Sequence, residues 1–182
     1  MLSLKPRKQS EVDDLIYKVN ERVTSLSYEA HAKYTSPKLF VAGKTLLASN
    51  MNHAALMGGY GVSHIDPTTG EQEYTPSRHS VTWVNAVYGT RWKGGLFAGY
   101  SKNLGTGKAL VGADKIYGSG ANIDQLLTAS VQGIYQLPHW RAGLEYQAST
   151  AWYGDINLAN GKVNNTHDIT NHRILGVFIY YF

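Results

Sequence analysis

Apolar and polar residues alternate one by one over 24–34. Thr24, Leu26, Tyr28, Ala30, Ala32 and Tyr34 fall between Ser25, Ser27, Glu29, His31 and Lys33. A period of two puts the two sets on opposite faces of a half-buried strand. Ser36-Pro37 turns the chain, and a second strand is predicted over about 38–48. Further strands are predicted near 79–90, 94–102, 123–136, 140–153 and 172–182, which makes seven. The N-terminus breaks the pattern. Ser10-Glu-Val-Asp13 fits a capping box, and Val12, Leu15, Ile16 and Val19 follow at helical spacing, which predicts one short helix over 10–20.

The connections alternate in length. Ser36-Pro37, Arg91-Trp-Lys93 and Leu137-Pro-His139 are tight turns. Between them lie "NMNHAALMGGYGVSHIDPTTGEQEYTPS", a second long stretch running to Asn122, and a third over 154–171. Transmembrane barrels have short periplasmic turns and long extracellular loops, whereas a soluble up-and-down barrel has no reason to sort loops by end. The pattern shows no internal repeat beyond this hairpin rhythm and no linker to a second domain.

The predicted strand over 140–153 allows a test of length. Trp140, Ala142, Leu144, Tyr146, Ala148, Thr150 and Trp152 share one face, with Arg141, Gly143, Glu145, Gln147 and Ser149 on the other. The two tryptophans stand about 40 Å apart along the strand at roughly 3.3 Å per residue. At a tilt of roughly 40° that is about 30 Å across a membrane, enough to put one near each girdle of a band about 25 Å tall. The 123–136 strand agrees less well: Gln125 shares a face with Ile123, Leu127, Ala129, Val131 and Tyr135. Over 79–90 both faces are apolar (Val81 and Trp83 against Val84, Ala86 and Tyr88), so the pattern assigns no lumen side there.

Composition sharpens this picture. Hydrophobic residues make up 43% of the 182-residue chain and its mean hydropathy is -0.28, so no stretch approaches the ~20 apolar residues of a membrane-spanning helix. Charged residues are scarce, 16% against a typical ~25%, while Gly (19) and Tyr (13) are abundant. That mixture suits membrane strands, which avoid charge towards lipid and place aromatics at the interfaces. Zero cysteine excludes disulfide scaffolds and cysteine-based chemistry. The net charge of +4 is spread out, without the basic stripe that nucleic-acid binding needs. "MLSLKPRKQSEVDD" lacks the apolar core and cleavage site of a signal peptide. An exported protein is then expected to be a mature or truncated piece of something longer.

The chain ends in "HRILGVFIYYF". Phe178, Tyr180 and Phe182 alternate with Leu175, Val177, Ile179 and Tyr181, so both faces are apolar. Contact of the second face with a lumen plug or a neighbouring protomer stays open beside a different facing of the strand. Bacterial outer-membrane barrels are similar in ending on an aromatic after alternating apolar residues, a signal read by the barrel-assembly machinery. Gly176 stands one residue earlier than that pattern usually has its glycine.

The resemblance extends upstream through "SYEAHAKYTSPKL", "MGGYGVSHIDPTTGEQEYT", "GLFAGYSKNLGT", "GANID", "LEYQASTAWYG" and "NHRILGVFIYYF". Over nearly all of 22–182 the chain resembles the C-terminal part of a porin-like outer-membrane β-barrel family of Bacteroidetes-type Gram-negative bacteria. The resemblance implies location in the bacterial outer membrane and an all-β, antiparallel up-and-down barrel segment. Residues 1–21 are expected to belong to an extracellular loop, and 22–182 to be the C-terminal strands. Seven strands do not close a single-chain bacterial barrel, which takes an even number from eight upwards. The expected partners are outer-membrane lipid, the assembly machinery, further strands from a longer chain, and a second copy as a candidate.

Candidate chemistry is sparse. Gly105-Thr-Gly107-Lys108 lacks the spacing and trailing hydroxyl of a phosphate loop. The seven histidines show no metal-ligating spacing, so no metal and no cofactor is expected. Asp66, Glu71 and Glu73 offer oxygens for Ca²⁺, against the simpler reading of "DPTTGE" as a turn. Asn164-Asn-Thr166 matches a glycosylation acceptor without meaning in a bacterium. His79 and Ser80 adjoin in sequence but point to opposite faces of a strand, and an enzyme is not expected.

Glu29, His31, Lys33, Lys44, Arg141, Glu145 and Arg173 are therefore expected to line a pore, and Tyr34, Trp140, Trp152, Phe178, Tyr180 and Phe182 to face the lipid interfaces. The expected function is passive or selective diffusion of small polar solutes. The alternatives are a soluble calycin-like β-barrel holding a small apolar ligand, and a plugged structural or adhesive outer-membrane barrel.

Overall fold

The computed structural model describes residues 21–54 and 57–182, with three short strands before them: β1 (Leu2–Leu4), β2 (Arg7–Gln9) and β3 (Ile16–Lys18). β2 and β3 pair antiparallel, with Arg7 opposite Lys18. Residues 16–18 are thus extended, not helical as the capping-box pattern predicts; the rest of 10–20 lies outside the described residues. A β-branched residue followed by an aromatic favours extended backbone once a partner strand supplies hydrogen bonds. β4 (Val23–Ser25) pairs with β1.

The main sheet has nine strands: β5 (Ser27–Thr35), β6 (Leu39–Ser49), β7 (Gly58–Ile65), β8 (Gln72–Gly89), β9 (Trp92–Thr106), β10 (Ile116–Ser119), β11 (Ile123–Gln136), β12 (Trp140–Ile156) and β13 (Val163–Tyr180). All pairings in it are antiparallel between neighbours. Seven of them, in the order β5-β6-β8-β9-β11-β12-β13, correspond to the strands expected from alternation. The other two, β7 and β10, lie where loops were expected.

The sheet is open. β5 pairs only with β6 and β13 only with β12, so both carry an unpaired edge among the described residues.

The strands outrun their expected ends at one side. β12 and β13 continue to Ile156 and from Val163, which reduces the expected long loop over 154–171 to a six-residue turn, 157–162. Asn157 and Lys162 close it, Asn157 N to Lys162 O at 2.7 Å, with Gly161 at φ 66°. β8 is shared by two strands along one edge: β6 pairs with its residues 78–88 and β7 with 72–76. β7 reads as loop in the sequence because of "GGYG". Gly59 stands at φ 138°, and a Cβ there would come within 2.1 Å of the Tyr117 carbonyl oxygen on β10. The glycines allow a close strand approach rather than a turn.

Burial is confined largely to this extended end. Val23 and Val62 are fully buried, joined by Leu110, Val163, Thr75, Asn103 and Thr106. At the short-turn end the sheet is a single layer without a core of its own.

Candidate functional site

The register of the seven long strands settles which side chains share a face. Residues directly opposite in an antiparallel pair point to the same side. From β12, Trp140, Ala142, Leu144, Tyr146, Ala148, Thr150 and Trp152 continue into Tyr180, Phe178, Gly176, Ile174, His172, Thr170 and Asp168 of β13. In the other direction Tyr146 aligns with Val131, Leu96, Ala86, Val41 and Tyr34 in one unbroken row. From the short-turn end up to the Tyr146 row this first face is apolar and uncovered, with Trp92 73% exposed, Ile174 74% and Phe178 68%; above it stand Thr150, Thr170, Asp168, Gln125 and Lys102. A contiguous apolar surface of this kind marks contact with lipid, ligand or protein.

Its aromatics at the short-turn end form a sloping line. Tyr180 and Trp140 share one row. Tyr135 and Trp92 stand one row higher, opposite Ala142, and Tyr88 another row higher, aligned with Leu144. Tyr34 stands in the row of Tyr146. Successive rings touch: Trp92–Tyr135 at 4.4 Å between centroids, Tyr135–Trp140 at 5.4 Å and Trp140–Phe178 at 5.9 Å. Phe182, beyond β13, continues the line with its ring 5.2 Å from Tyr180.

The slope has a meaning in ångströms. From Trp140 to the Tyr34 row the line climbs about 20 Å along the strands while crossing about 24 Å of sheet, at ~3.3 Å per residue and ~4.8 Å per strand. If these rings lie at one height, the strands are tilted by about 40°, within the ~35–45° of membrane barrels.

The second face collects every residue expected to line a pore. Glu29, His31 and Lys33 of β5 point with Lys44 of β6, opposite His31. Arg141 and Glu145 of β12 point with Arg173 of β13, opposite Gln147. Two clusters form, one near each free edge. Lys44 Nζ lies 2.8 Å from Glu29 Oε2, and His31 Nδ1 lies 3.2 Å from Glu29 Oε1. Arg173 Nη2 lies 3.0 Å from Glu145 Oε1, and Ser130 Oγ donates to the other oxygen at 3.3 Å. Lys33 and Arg141 join neither pair; Lys33 Nζ sits 5.7 Å from the centre of the Phe40 ring. The two clusters do not meet, since β8, β9 and β11 lie between them.

Between the clusters the second face is aromatic, which sequence reasoning missed. Trp83 and Phe97 stack at 6.3 Å, and an open hollow of about 330 Å³ beside them is lined by Val81, Leu126, Thr128 and Met57. The register also assigns the face that alternation left open over 79–90: Val81, Trp83, Asn85 and Val87 lie with Lys44 and Phe97, and Val84, Ala86 and Tyr88 with the sloping line of aromatics. On the last strand, Leu175, Val177 and Ile179 lie with Arg141 and Glu145.

At the long-loop end the candidate Ca²⁺ residues form a turn. Asp66 Oδ1 accepts from Thr68 N at 2.7 Å and Thr69 N at 3.0 Å. These bonds hold the Asp66 carboxyl below its usual range, with the His64 charge a lesser cause. Glu73 is held low by the hydrogen bond from Lys108, at 2.7 Å. Tyr60, Tyr74 and Tyr117 cluster across β8, β7 and β10, and burial first, then the neighbouring tyrosines, push the Tyr74 hydroxyl up to about 12. Lys102 and Asp124 pair at 2.5 Å at a bulge in β11.

The arrangement is that of a two-sided wall, with no group of His, Asp and Glu side chains placed to hold a metal among the described residues. No protein-family model, no curated protein and no solved structure matches the chain.

Proposed function

We propose that the sheet is part of the wall of a porin-like outer-membrane β-barrel, completed by further strands from a longer chain or from partner chains, through which small polar solutes diffuse. The observation that carries this reading is the separation of faces: seven long strands with the expected interface aromatics Tyr34, Trp140, Trp152, Phe178 and Tyr180 on one side and every expected pore residue on the other. Lipid would cover the exposed aliphatic band and water the charged one. The open edges fit the same reading, since an edge left in lipid costs several kcal/mol per unsatisfied backbone group. Nothing in this function requires covalent chemistry.

A soluble barrel around an apolar ligand is the second reading. The observation in its favour is an open trough of about 510 Å³ on the apolar face, lined by Val84, Leu96, Ala129, Val131 and Tyr146 among others. It would turn Trp92 and Trp140 inward and leave Arg141 and Glu145 in water.

The four tryptophans separate the two. In single-tryptophan variants refolded into vesicles, brominated lipid should quench Trp92, Trp140 and Trp152 strongly and Trp83 weakly. A chain that stays soluble and monomeric without detergent, with no quenching at any site, would overturn the membrane reading.

A further inference from the structure

One end of the wall has cationic side chains and no carboxylate side chains. The short-turn end comprises residues 32–41, 86–95, 133–143 and 177–182. It carries Lys33, Lys38, Arg91, Lys93 and Arg141 and no Asp or Glu side chain. The opposite end is mixed: it holds Asp66, Glu71, Glu73, Asp114, Asp124, Asp155 and Asp168 together with Arg78, Lys102, Lys108, Lys115 and Lys162. Of the carboxylates in the wall between them, Glu29 is taken by Lys44 and Glu145 by Arg173.

Three of the five cations have a fixed direction. Lys33 precedes Tyr34, Lys93 follows Trp92, and Arg141 follows Trp140. Each is the sequence neighbour of an aromatic in the sloping line, so strand alternation turns it to the opposite, polar face at that aromatic's height. The register agrees: Lys33 lies opposite Ala42, Lys93 opposite Ile134 and Arg141 opposite Ile179, all on the second face. None of the three has a carboxylate partner among the described residues. Arg141 Nε is buried without any hydrogen-bond partner.

We propose that Lys33, Lys93 and Arg141 form a cationic collar at the short-turn mouth that makes the channel selective for small anions. This rests on the porin-like reading and names its substrate class. Fixed charges at a constriction raise the local concentration of counter-ions and exclude co-ions. Because the three point away from the apolar face, a role in binding anionic lipid headgroups is disfavoured by their geometry. The ion pairs Lys44–Glu29 and Arg173–Glu145 contribute little while intact, since each is neutral as a unit, closed within 3.0 Å.

The experiment is the zero-current potential of the complete protein in a planar bilayer under a potassium chloride gradient. The expected result is chloride over potassium preference that fades as ionic strength rises, because the screening length falls from about 10 Å at 0.1 M to about 3 Å at 1 M. The triple variant Lys33→Glu, Lys93→Glu, Arg141→Glu should lower the permeability ratio by about threefold or more. The neutral triple, to Gln at each position, should give an intermediate value and guards against loss of folding in the charge-reversed protein. Lys162→Glu, in the turn at the other end, should leave the ratio unchanged. A conducting channel that prefers cations, or whose ratio ignores both triple variants, overturns the collar while leaving the channel reading intact. A correctly inserted protein with no conductance overturns both.

Discussion

Arg173 of β13 reaches across its ladder to two side chains of β12 at once, Nη2 lying 3.0 Å from Glu145 Oε1 and donating to Gln147 Oε1 at 2.5 Å. Gln147 is its direct cross-strand partner, and Glu145 is one step along the diagonal. The arginine side chain is 57% exposed, so solvent screens the pair, and an exposed ion pair contributes about 1 kcal/mol or less. Arg173→Ala is therefore expected to fold with nearly unchanged denaturant midpoint. Its measurable effect should be on ion preference, because Glu145 is left without its cation and the net positive charge of the second face drops. A stability loss above about 3 kcal/mol would instead identify a buried structural pair.

Leu144 provides the converse test. It lies on the apolar face in a row with Gly133, Gly94 and Gly176, and it is 62% exposed. An arginine at the middle of a lipid-facing band costs about 2–4 kcal/mol. Leu144→Arg should consequently refold poorly into vesicles, read by the heat-dependent shift of the folded band on a gel, while Glu145→Ala next to it refolds as the parent does. Equal refolding of both would place Leu144 in water.

A pH dependence is expected in the β7–β8 turn. The Asp66 carboxyl is held low by the amide hydrogens of Thr69 and Thr68. A depressed folded value means that the carboxylate's contribution is present above the ordinary aspartate range. It is lost as pH falls through the lowered value. Amide exchange at Thr68 and Thr69 should thus stay slow down through the ordinary range and quicken only at more acid pH. In Asp66→Ala it should be fast throughout with no acid step; an unchanged profile in that variant would show that the Asp66 carboxylate does not protect these two amides.

Alternation made the wall legible in the sequence and left its upper end obscure. Strands such as β5 and β12 keep a strict period of two because one face meets a different environment from the other. Hence spacing alone put Glu29 with His31 and Lys33, and Arg141 with Glu145, while it took the pairing of strands to set Lys44 and Arg173 beside them. β8 failed that test because Trp83 and Val81 face Phe97 and Leu46, an apolar patch on an otherwise polar side, and only the pairing with β9 assigns it. β7 was hidden by glycines that serve strand contact at Tyr117, a neighbour 57 or so residues away in sequence that no local pattern reveals. The extended backbone of Ile16–Lys18 has a similar origin: a partner strand, Arg7–Gln9, lying just outside the window being read, decided it.

The division of β8 between two neighbours makes part of the chain extensible. Residues 78–88 hold the register with β6, and residues 72–76 hold only β7. Everything from Asn50 to Ser77 therefore leaves the wall at one point and returns to it at an adjoining one: Asn50 N bonds Ser77 O at 2.9 Å. A stretch whose ends are pinned together can be lengthened at its exposed turn, 66–71, without shifting the ladder beneath it, whereas β7 itself is held by its pairing with β10 and by the burial of Val62. The upper hairpin is in this sense tolerant of added length. An insertion at its exposed Thr68–Thr69 turn should leave the β6–β8 register unchanged.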